Sequence, residues 1–393
     1  MKRIIFRSGS LRMGGLERIF IEVLQNIDSK KYEILVIVDD DCGKENVFET
    51  NIPKNIKYYF LKPEKLIRIT ERIKEKKKNI YYKILYNIMM MIENKVMYFN
   101  MKKLLKKFGK IDILIDYDGG ASKYIHKIKN IKQRIVWIHS SIPNLKKRTD
   151  KIKRFGKRLN RYDKIIVICD EMLNETKEIY PFLEKKLKRI YNSFDFENII
   201  LKSKDLSELN VEEKDLLKNK YFLAVSRLDM VSKDYKTLLE AFSKLQNKDY
   251  LLYILGDGPD KENIEKLIEN LNLKKRVFLL GRKKNPYVWM KNAYAFVHSS
   301  FFEGFGLVIL EALILNKAVI SSNCKVGPSE ILLNGMYGEL FDVGDSNKLF
   351  YKMNRFIEQP ELKKKYEMLS KKAIERFNIK NVIKEIEQML DES

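Results

Sequence analysis

Residues 301–313 read FFEGFGLVILEAL and place two glutamates, Glu303 and Glu311, eight positions apart around two glycines. Gly304 and Gly306 permit backbone conformations that a Cβ atom would prevent, so that a ligand can approach the main chain. The segment LVILEALILN predicts a helix whose first N–H groups suit a diphosphate, with one glutamate before it and the other about two turns inside. Carboxylates repel phosphate, but they accept hydrogen bonds from hydroxyls, one on a sugar and one on a ribose. The alternative is that both glutamates pair with lysines.

Other residues capable of chemistry follow short apolar runs elsewhere in the chain. They are Gly14 and Gly15 after the first run, His139 after RIVWI, Arg227 after YFLAVS, Gly256 and Gly258 after YLLYIL, and Gly281 after RVFLL. In doubly wound sheets, ligands bind outside the carboxyl ends of the strands. We therefore expect these residues and Glu303 to converge on a cleft between two domains.

The apolar runs alternate with longer helical patterns, and most runs are continuous, which is typical of strands buried on both faces of a parallel sheet. The predicted strands are KRIIF, EILVIV, DILIDY, RIVWIH, KIIVIC and KRIYN in the first half, and YFLAVS, YLLYILG, RVFLLG, YAFVHS and AVISS in the second. This rhythm predicts an α/β protein made of two Rossmann-like, doubly wound domains.

A break in the rhythm near residues 192–215 predicts where the two domains meet. The first domain would span 1–192, with a basic helical insertion at 62–110, and the second would span 193–365. The remaining segment, 366–393, is predicted as a C-terminal helix that packs back on the first domain.

EGFGLVILEAL resembles the E-x7-E signature of the retaining glycosyltransferases of family 4 (glycosyl transferases group 1), which have the GT-B fold. Further segments resemble the same family: GSLRMGGLERIF, YNSFD at 191–195, SRLDMVSKDYKTLLEAF, ILGDGP at 254–259 and VGPSEIL at 326–332. The matches in the second half form an ordered set, whereas the first half is less specific. The resemblance implies two Rossmann-like domains that face a central cleft.

The resemblance also implies an activity and a set of catalytic residues. A hexose or N-acetylhexosamine would pass from a nucleoside diphosphate, most often UDP, to a hydroxyl of a glycan or lipid-linked acceptor, with retention of configuration. Arg227 and Lys233 would hold the departing diphosphate, the first as a bidentate fork and the second as a point charge. No metal ion or cofactor would then be needed. Glu303 would contact the transferred sugar, Glu311 the ribose hydroxyls, and His139 the sugar and acceptor.

The remaining donor-binding residues follow from the same resemblance. The loop of Gly14 and Gly15 would lie beneath the donor phosphates, and backbone amides near Phe305–Leu307 would assist. Gly256 and Gly258 either line the donor site or only make a tight turn. Arg282 would begin the base pocket, near residues 282–287.

Several positions depart from the family pattern without losing charge. Ser226 replaces the glycine that commonly precedes the arginine, and Asp234 replaces the common glycine or asparagine after Lys233. NSFD replaces the common NGVD. These changes put the geometry of the donor loop in question and leave the reaction class unchanged.

The formal net charge of +24 is concentrated in the first half. Residues 62–110 hold fifteen basic against four acidic residues, and residues 144–164 hold ten against two, so these segments carry about +11 and +8. Such charge is typical of a solvated face, of attraction to an anionic membrane surface, or of nucleic-acid binding. No nucleic-acid recognition motif accompanies it, so nucleic acid is not predicted as a partner.

Cellular location is constrained by what the sequence lacks. The N-terminus MKRIIFRSGS reads as a strand rather than a signal peptide, and no apolar run approaches the length of a spanning helix. The three cysteines are scattered and show neither a disulfide nor a metal-ligand spacing. We expect a cytoplasmic protein, with peripheral attachment at the inner face of the membrane if the basic segments bind lipid.

Two other functions compete with this interpretation. The acidic runs DDD at 39–41 and DYD at 116–118 follow predicted strands and suit the divalent cation of a GT-A glycosyltransferase. A basic membrane-surface or nucleic-acid-binding protein without catalysis is the second alternative, and it predicts no effect of Glu311→Ala.

Overall fold

The computed structural model describes residues 1–393, which divide into two units, each built around its own parallel sheet. The first unit comprises residues 1–194 and 379–393, and the second comprises residues 195–378. Both sheets are wound from consecutive strand–helix–strand segments, as the alternation of apolar runs and helical patterns predicts.

The sheet of the first unit has seven parallel strands in the order β3-β2-β1-β4-β5-β6-β7. Its strands are β1 Lys2–Ser8, β2 Tyr32–Asp40, β3 Lys57–Lys62, β4 Ile111–Asp116, β5 Ile131–Ile138, β6 Lys164–Val167 and β7 Leu187–Arg189. Ile4 in the interior strand β1 pairs with Ile34 on one side and Ile113 on the other. All three side chains are buried, which explains why these strands read as continuous apolar runs.

Six helices follow the strands of the first unit in chain order. They are α1 Gly15–Asn26, α2 Glu64–Glu75, α3 Ile80–Phe108, α4 Ile142–Leu145, α5 Thr149–Leu159 and α6 Asp170–Ile179. The basic segment 62–110 consists mainly of α2 and α3, and at 29 residues α3 is the longest helix of the protein. The other basic segment, 144–164, consists mainly of α5.

The sheet of the second unit has six parallel strands in the order β10-β9-β8-β11-β12-β13. Its strands are β8 Lys220–Val225, β9 Tyr250–Leu255, β10 Val277–Leu279, β11 Ala295–His298, β12 Val319–Ser322 and β13 Glu339–Phe341. Its helices are α7 Phe196–Lys202, α8 Val211–Leu216, α9 Tyr235–Ser243, α10 Lys261–Asn270, α11 Tyr287–Asn292, α12 Leu307–Ile314, α13 Pro328–Ile331, α14 Ser346–Glu358 and α15 Pro360–Ile374. A core of buried side chains from β8, β9, β11, α9 and α14 holds the sheet against its helices.

The C-terminal segment differs from its prediction as a single helix over 366–393. α15 ends at Ile374 inside the second unit, and a separate helix, α16 Ile379–Asp391, belongs to the first unit. α16 packs beside α1, where Glu387 accepts a hydrogen bond from the Asp28 backbone amide at 2.9 Å. The break at residues 375–378 was missed because the charged pattern continues through it.

Two strands were not predicted, and β7 is one of several that are shorter than predicted. β3 begins with two exposed residues and β13 has three residues, so neither presents a continuous apolar run. KRIYN at 188–192 contributes only its first two residues to β7. All three strands lie toward an edge of their sheet, where burial on both faces is not required.

None of the helices, α3 included, combines the length and the hydropathy that crossing a bilayer requires.

Candidate functional site

The loops that follow β8 and β11 are joined at the carboxyl edge of the second sheet. Lys233 and Ser300 form an isolated antiparallel bridge. On one side of it the Asp234 amide donates to the Ser299 carbonyl at 3.1 Å, and on the other the Phe301 amide donates to the Ser232 carbonyl at 2.9 Å. The backbone therefore fixes the two loops against each other.

Neighbouring loops continue this network on both sides. The Leu228 amide, after β8, donates to the Asp257 carbonyl, after β9, at 3.0 Å. The Glu303 amide, after β11, donates to the Lys325 carbonyl, after β12, at 3.0 Å. Residues that are far apart in sequence thus form one continuous edge of the second unit.

Lys233 and Glu303 meet at this edge as an ion pair. The Oε1 atom that faces Lys233 also lies 2.8 Å from His298 Nε2, and it accepts a hydrogen bond from Ser300 Oγ at 2.7 Å. The Lys233 and Glu303 side chains are 14% and 12% exposed, so the pair is mostly buried. A carboxylate held at one oxygen by several donors has a defined position before any ligand binds.

The charge state of Glu303 follows from these neighbours. Burial alone would raise the pKa of Glu303, but the charges and hydrogen bonds of His298 and Lys233 outweigh it. The pKa of this carboxyl therefore lies well below its usual range, and Glu303 is ionised at neutral pH.

Arg227 lies on the same loop as Lys233 but in a different environment. Its side chain is 68% exposed, and its guanidinium pairs with Asp229 two residues along the chain. Pairing with a single aspartate leaves most of the five N–H groups of this exposed arginine accessible to a ligand. The structure does not bring Arg227 into the Glu303 ion pair.

Gly256 and Gly258 have a structural reason to be glycines. A Cβ atom at Gly256 would overlap the Ser226 carbonyl, and one at Gly258 would overlap the Leu228 carbonyl. These glycines let the loop after β9 pass directly over the loop that carries Arg227. They position the candidate site, whatever they contact in addition.

The departures at Ser226 and Asp234 also have visible roles. Ser226 Oγ lies 2.7 Å from the Tyr235 hydroxyl. The Asp234 side chain caps α9 by accepting a hydrogen bond from the Thr237 amide at 3.1 Å. Both substitutions thus anchor the loop after β8 to α9, the helix that follows it.

The segment from Gly304 to Leu307 leads into α12. Gly306 has a φ of 91° at the N-cap, a conformation that favours glycine. Phe305 is buried with its ring 5.8 Å from the Phe377 ring, and a Cβ atom at Gly327 would overlap the Phe305 carbonyl. The turn before α12 is therefore tightly packed, and the free amides of the helix follow it at Leu307.

Glu311 is the fifth residue of α12, which places it one turn from the helix start instead of the predicted two. Its side chain is only 4% exposed. A buried carboxylate requires polar partners, so its environment is not that of a solvated surface acid.

Arg282 follows the edge strand β10, three strands away from β11. It is exposed, and it lines a cavity of about 400 Å³ together with Asp205, Glu208, Glu213, Lys283 and Asn285, among others. Lys283 and Glu213 form an ion pair of 2.7 Å across this cavity. Arg282 is therefore separate from Lys233 and Glu303, although it belongs to the same edge of the sheet.

In the first unit, Gly14 and Gly15 begin α1. Gly14 is the N-cap in an extended conformation that any residue adopts, and Gly15 is the first helical residue. Glu17 lies in the first turn and accepts a hydrogen bond from Ser10 Oγ at 2.9 Å. This carboxylate beside the helix start was not anticipated, and it stands where an anion would bind.

His139 follows β5 in the first unit, and its ring centroid lies 4.8 Å from that of Tyr117. Both ring nitrogens are closed off from solvent. Burial lowers the pKa of His139 to about 4, although Tyr117, Asp118 and Asn192 oppose this shift. The imidazole is therefore neutral at pH 7 and is suited to hydrogen bonding instead of charge stabilisation.

Three aspartates of the acidic runs at 39–41 and 116–118 surround an arginine. Arg7 is fully buried and pairs with Asp39, with Asp116 at 2.8 Å, and with Asp118. No group of three or more histidines, cysteines or acidic residues is arranged to hold a metal ion. Because these aspartates neutralise Arg7, the interpretation of DDD and DYD as a GT-A cation site is wrong.

The sequence did not identify His298 and Ser300 as site residues. Both lie at the end of β11 and contact Glu303. Their position in HSSFFE, between a buried strand and the glutamate, was the available signal. It was not used because a strand-end histidine is more often structural.

Comparison with known proteins gives matches to glycosyltransferases. Residues 208–376 match the family model described as glycosyl transferases group 1. The chain is 33% identical over 206 residues to the N-acetylgalactosamine-N,N'-diacetylbacillosaminyl-diphospho-undecaprenol 4-alpha-N-acetylgalactosaminyltransferase of Campylobacter jejuni. This match covers 52% of the present chain and spans about half, 54%, of the relative.

Longer matches extend the likeness over the rest of the chain. An uncharacterized glycosyltransferase of Methanocaldococcus jannaschii is 28% identical over 343 residues, which cover 74% of this chain and 81% of that protein. The crystal structure of HepE from Anabaena in complex with UDP superposes with a TM-score of 0.76 over the whole of both chains at 19% identity. The predicted fold class is confirmed, because GT-B glycosyltransferases are among the structural neighbours.

Proposed function

We propose that this protein, with a GT-B fold and a segment matching glycosyl transferases group 1, transfers a sugar from a nucleoside diphosphate to a hydroxyl group. The matched relatives are themselves glycosyltransferases, and HepE was crystallised with UDP. The observation that carries the proposal is the meeting of Lys233 and Glu303, with Arg227 on the same loop.

The chemistry of these residues fits the breaking of a bond to a diphosphate. The leaving oxygens gain negative charge in the transition state, so preorganised positive charge lowers the barrier. Arg227 offers an accessible planar fork and Lys233 a mostly buried ammonium group, and both lie within the matched residues. Glu303, ionised and fixed, suits a hydrogen bond to a sugar hydroxyl.

The finer details of the reaction belong to the same proposal. UDP with a hexose or N-acetylhexosamine is the proposed donor, transfer proceeds with retention, and no metal ion is required. Glu311 binds the ribose hydroxyls, and Arg282 lies at the base pocket. Gly14 and Gly15 in the first unit contact the phosphates, and neutral His139 contacts the sugar or acceptor.

A donor screen tests this proposal. The wild-type protein is incubated with UDP-, GDP- and ADP-sugars in EDTA, with a panel of hydroxyl acceptors, and products are detected by mass spectrometry. Transfer or slow hydrolysis is expected from one nucleotide class, with an anomeric configuration that matches the donor.

The matched control for the screen is a pair of arginine variants. Arg227→Ala should lose activity, whereas Arg148→Ala should not, although Arg148 is equally exposed and also pairs with an aspartate two residues along. No release of nucleoside diphosphate from any donor would contradict the proposal. Equal activity of the two variants would contradict the role of Arg227.

For the acceptor, we propose a glycan or lipid-linked hydroxyl used in cell-surface polysaccharide synthesis. The Campylobacter relative is named for a diphospho-undecaprenol substrate, and other relatives are named for poly(ribitol-phosphate) and lipopolysaccharide. A lipid-linked acceptor would require the enzyme to work at a membrane surface.

We further propose that α3 binds an anionic membrane surface from the cytoplasmic side. One face of α3 packs on its own unit through Met97, Met101 and Leu105. The exposed apolar side chains of the helix, named here the α3 stripe, are Ile80, Tyr81, Ile84, Ile88, Met91, Ile92 and Phe99. Most are three or four residues apart, so they share a side of the helix.

Charge supports a lipid partner for the α3 stripe. The second half of α3 exposes five lysines: Lys95, Lys102, Lys103, Lys106 and Lys107. Apolar side chains next to clustered lysines are typical of helices that lie in the interface of an anionic bilayer. The basic segment 144–164, on and around α5, adds further positive charge to the first unit.

Co-sedimentation with vesicles tests this attachment. Wild type should bind vesicles that contain anionic lipid, less at high salt and less to neutral vesicles. Replacing Ile84, Ile88 and Met91 with serine should weaken binding about tenfold or more. The control replaces three apolar side chains that are exposed in the second unit, Leu201, Val211 and Met368, with serine. Membrane attachment would be contradicted if wild type sedimented equally with neutral and anionic vesicles. It would also be contradicted if the two triple variants sedimented equally with anionic vesicles.

A further inference from the structure

Glu303 Oε1 is approached by donors of two different kinds. Lys233 extends from a loop on a flexible four-carbon stem. His298 and Ser300, by contrast, lie at the end of β11, and both are almost fully buried. His298 is held by its strand, where it pairs with Ser321 of β12. The histidine and the serine are therefore fixed, whereas the lysine has the freedom to move.

This arrangement creates a conflict with the proposed function. Without ligand, the Lys233 ammonium group is paired with the Glu303 carboxylate. A diphosphate that binds Lys233 must draw the ammonium group away from the carboxylate. Removing one partner of a buried ion pair costs several kcal/mol unless other donors remain. Something else must hold Glu303 once Lys233 has turned to the phosphates.

We propose that His298 is a positioning residue, assisted by Ser300, that holds Glu303 in place when the donor diphosphate engages Lys233. The Nε2–H of His298 donates to Glu303 Oε1 over 2.8 Å, and Ser300 Oγ, 3.2 Å from the same nitrogen, donates at 2.7 Å. The inference rests on the proposed function. It adds that His298 lowers the free-energy cost of breaking the Lys233–Glu303 ion pair when the donor binds.

The coupling predicts an effect on nucleotide binding by a residue that touches no nucleotide. In His298→Leu, Glu303 loses a fixed donor and depends more on Lys233, so the lysine is harder to release. UDP affinity should fall about tenfold, a typical coupling between groups in one network. Turnover should fall as well, because the carboxylate loses its orientation.

A double-mutant cycle by isothermal titration calorimetry tests the mechanism. In a Glu303→Gln background, Lys233 no longer pairs with a carboxylate, so His298→Leu should change UDP affinity less than about twofold. His298→Gln, whose amide nitrogen reaches the position of Nε2, should restore most of the wild-type affinity. A residue that only supports the strand would affect both backgrounds alike, and glutamine would not rescue it.

Melting curves accompany each titration, and Ser300→Ala replaces His298→Leu if the latter does not fold. Unchanged UDP affinity in His298→Leu, or an equal loss in both backgrounds, would overturn the positioning role while leaving the proposed function intact. Wild-type protein that binds no nucleotide would instead remove the proposed function.

Discussion

Each sheet has an arginine at its carboxyl edge, and the two arginines differ in burial and in ion pairing. Arg7, in the interior strand β1, is 2% exposed and surrounded by Asp39, Asp116 and Asp118. Arg227, just after the central strand β8, is 68% exposed and pairs with Asp229 alone. In the first unit the positive charge is neutralised inside the protein. In the second unit it remains accessible to an anion from solution.

The comparison shows that acidic and basic residues after a strand do not define a binding site by themselves. Burial alone would lower the pKa of Arg7, but the three aspartates raise it well above its usual value, so the guanidinium stays charged. Burial raises the pKa of Asp116 to about 6, although Arg7 opposes the shift. These groups stabilise one another, and Arg7, Asp39 and Asp116 are all buried.

Replacing each arginine with methionine should separate the two roles most clearly. Arg7→Met leaves buried aspartates without their cation and should destabilise the protein by about 3–5 kcal/mol. Arg227→Met should change stability by less than about 0.5 kcal/mol, because the site is exposed. Urea denaturation measures both. Similar losses from the two variants would show that the edges do not differ as described.

Lys233→Met sharpens the comparison within the second unit. Loss of a charge-assisted contact to the diphosphate should weaken UDP binding by about 1.5–3 kcal/mol, measured by titration calorimetry. Lys352→Met is the control, because Lys352 also pairs with a buried glutamate, Glu339, but lies on α14. An equal loss of UDP affinity in both variants would mean that the Lys233 effect is not local.

Glu311→Gln tests the second glutamate of the motif. A binding role predicts that kcat/KM for the donor falls about tenfold, or about 1.4 kcal/mol. The unfolding midpoint should change much less, since glutamine keeps the size of the side chain. A collapse of the melting temperature without selective loss of donor use would indicate that Glu311 only stabilises the fold.

The smallest effect is expected from His139 in the first unit. Its pKa of about 4 lies below the unfolded value of 6.5, so the unfolded chain binds more protons between these values. Protonation of this histidine in the unfolded chain therefore lowers the free energy of unfolding as pH falls, by about 1 kcal/mol between pH 6.5 and 5.5. In His139→Leu, the free energy of unfolding should not show this fall when denaturation is measured at both pH values. An identical pH dependence in the two proteins would contradict the buried neutral imidazole.

Much of the fold follows from the sequence because parallel strands buried on both faces must be continuously apolar. The sequence therefore predicts β1, β2, β4, β8 and β9 from the runs KRIIF, EILVIV, DILIDY, YFLAVS and YLLYILG. The edge strands β3 and β13 were not predicted, because β3 is partly exposed and β13 is short, so neither shows a continuous apolar run.

The candidate site was predictable only in part. Lys233 and Glu303 were singled out from motifs 70 residues apart, and the structure places them together. His298 was missed, because only the orientation of the end of β11 reveals its contact with Glu303. The pairing of Arg7 with residues 32 and 109 positions away was equally invisible, since it depends on which strands are neighbours. The predicted convergence of His139, Gly14 and Gly15 with the donor residues stays a prediction.

The most direct test of the account is calorimetric titration of the wild-type protein with UDP, GDP and ADP in EDTA. We predict that one nucleoside diphosphate binds without magnesium and that Arg227→Ala loses most of this affinity, while Arg148→Ala keeps it. If none of the three nucleotides binds, or if Arg227→Ala binds as tightly as wild type, the carboxyl edge of the second sheet is not a diphosphate site.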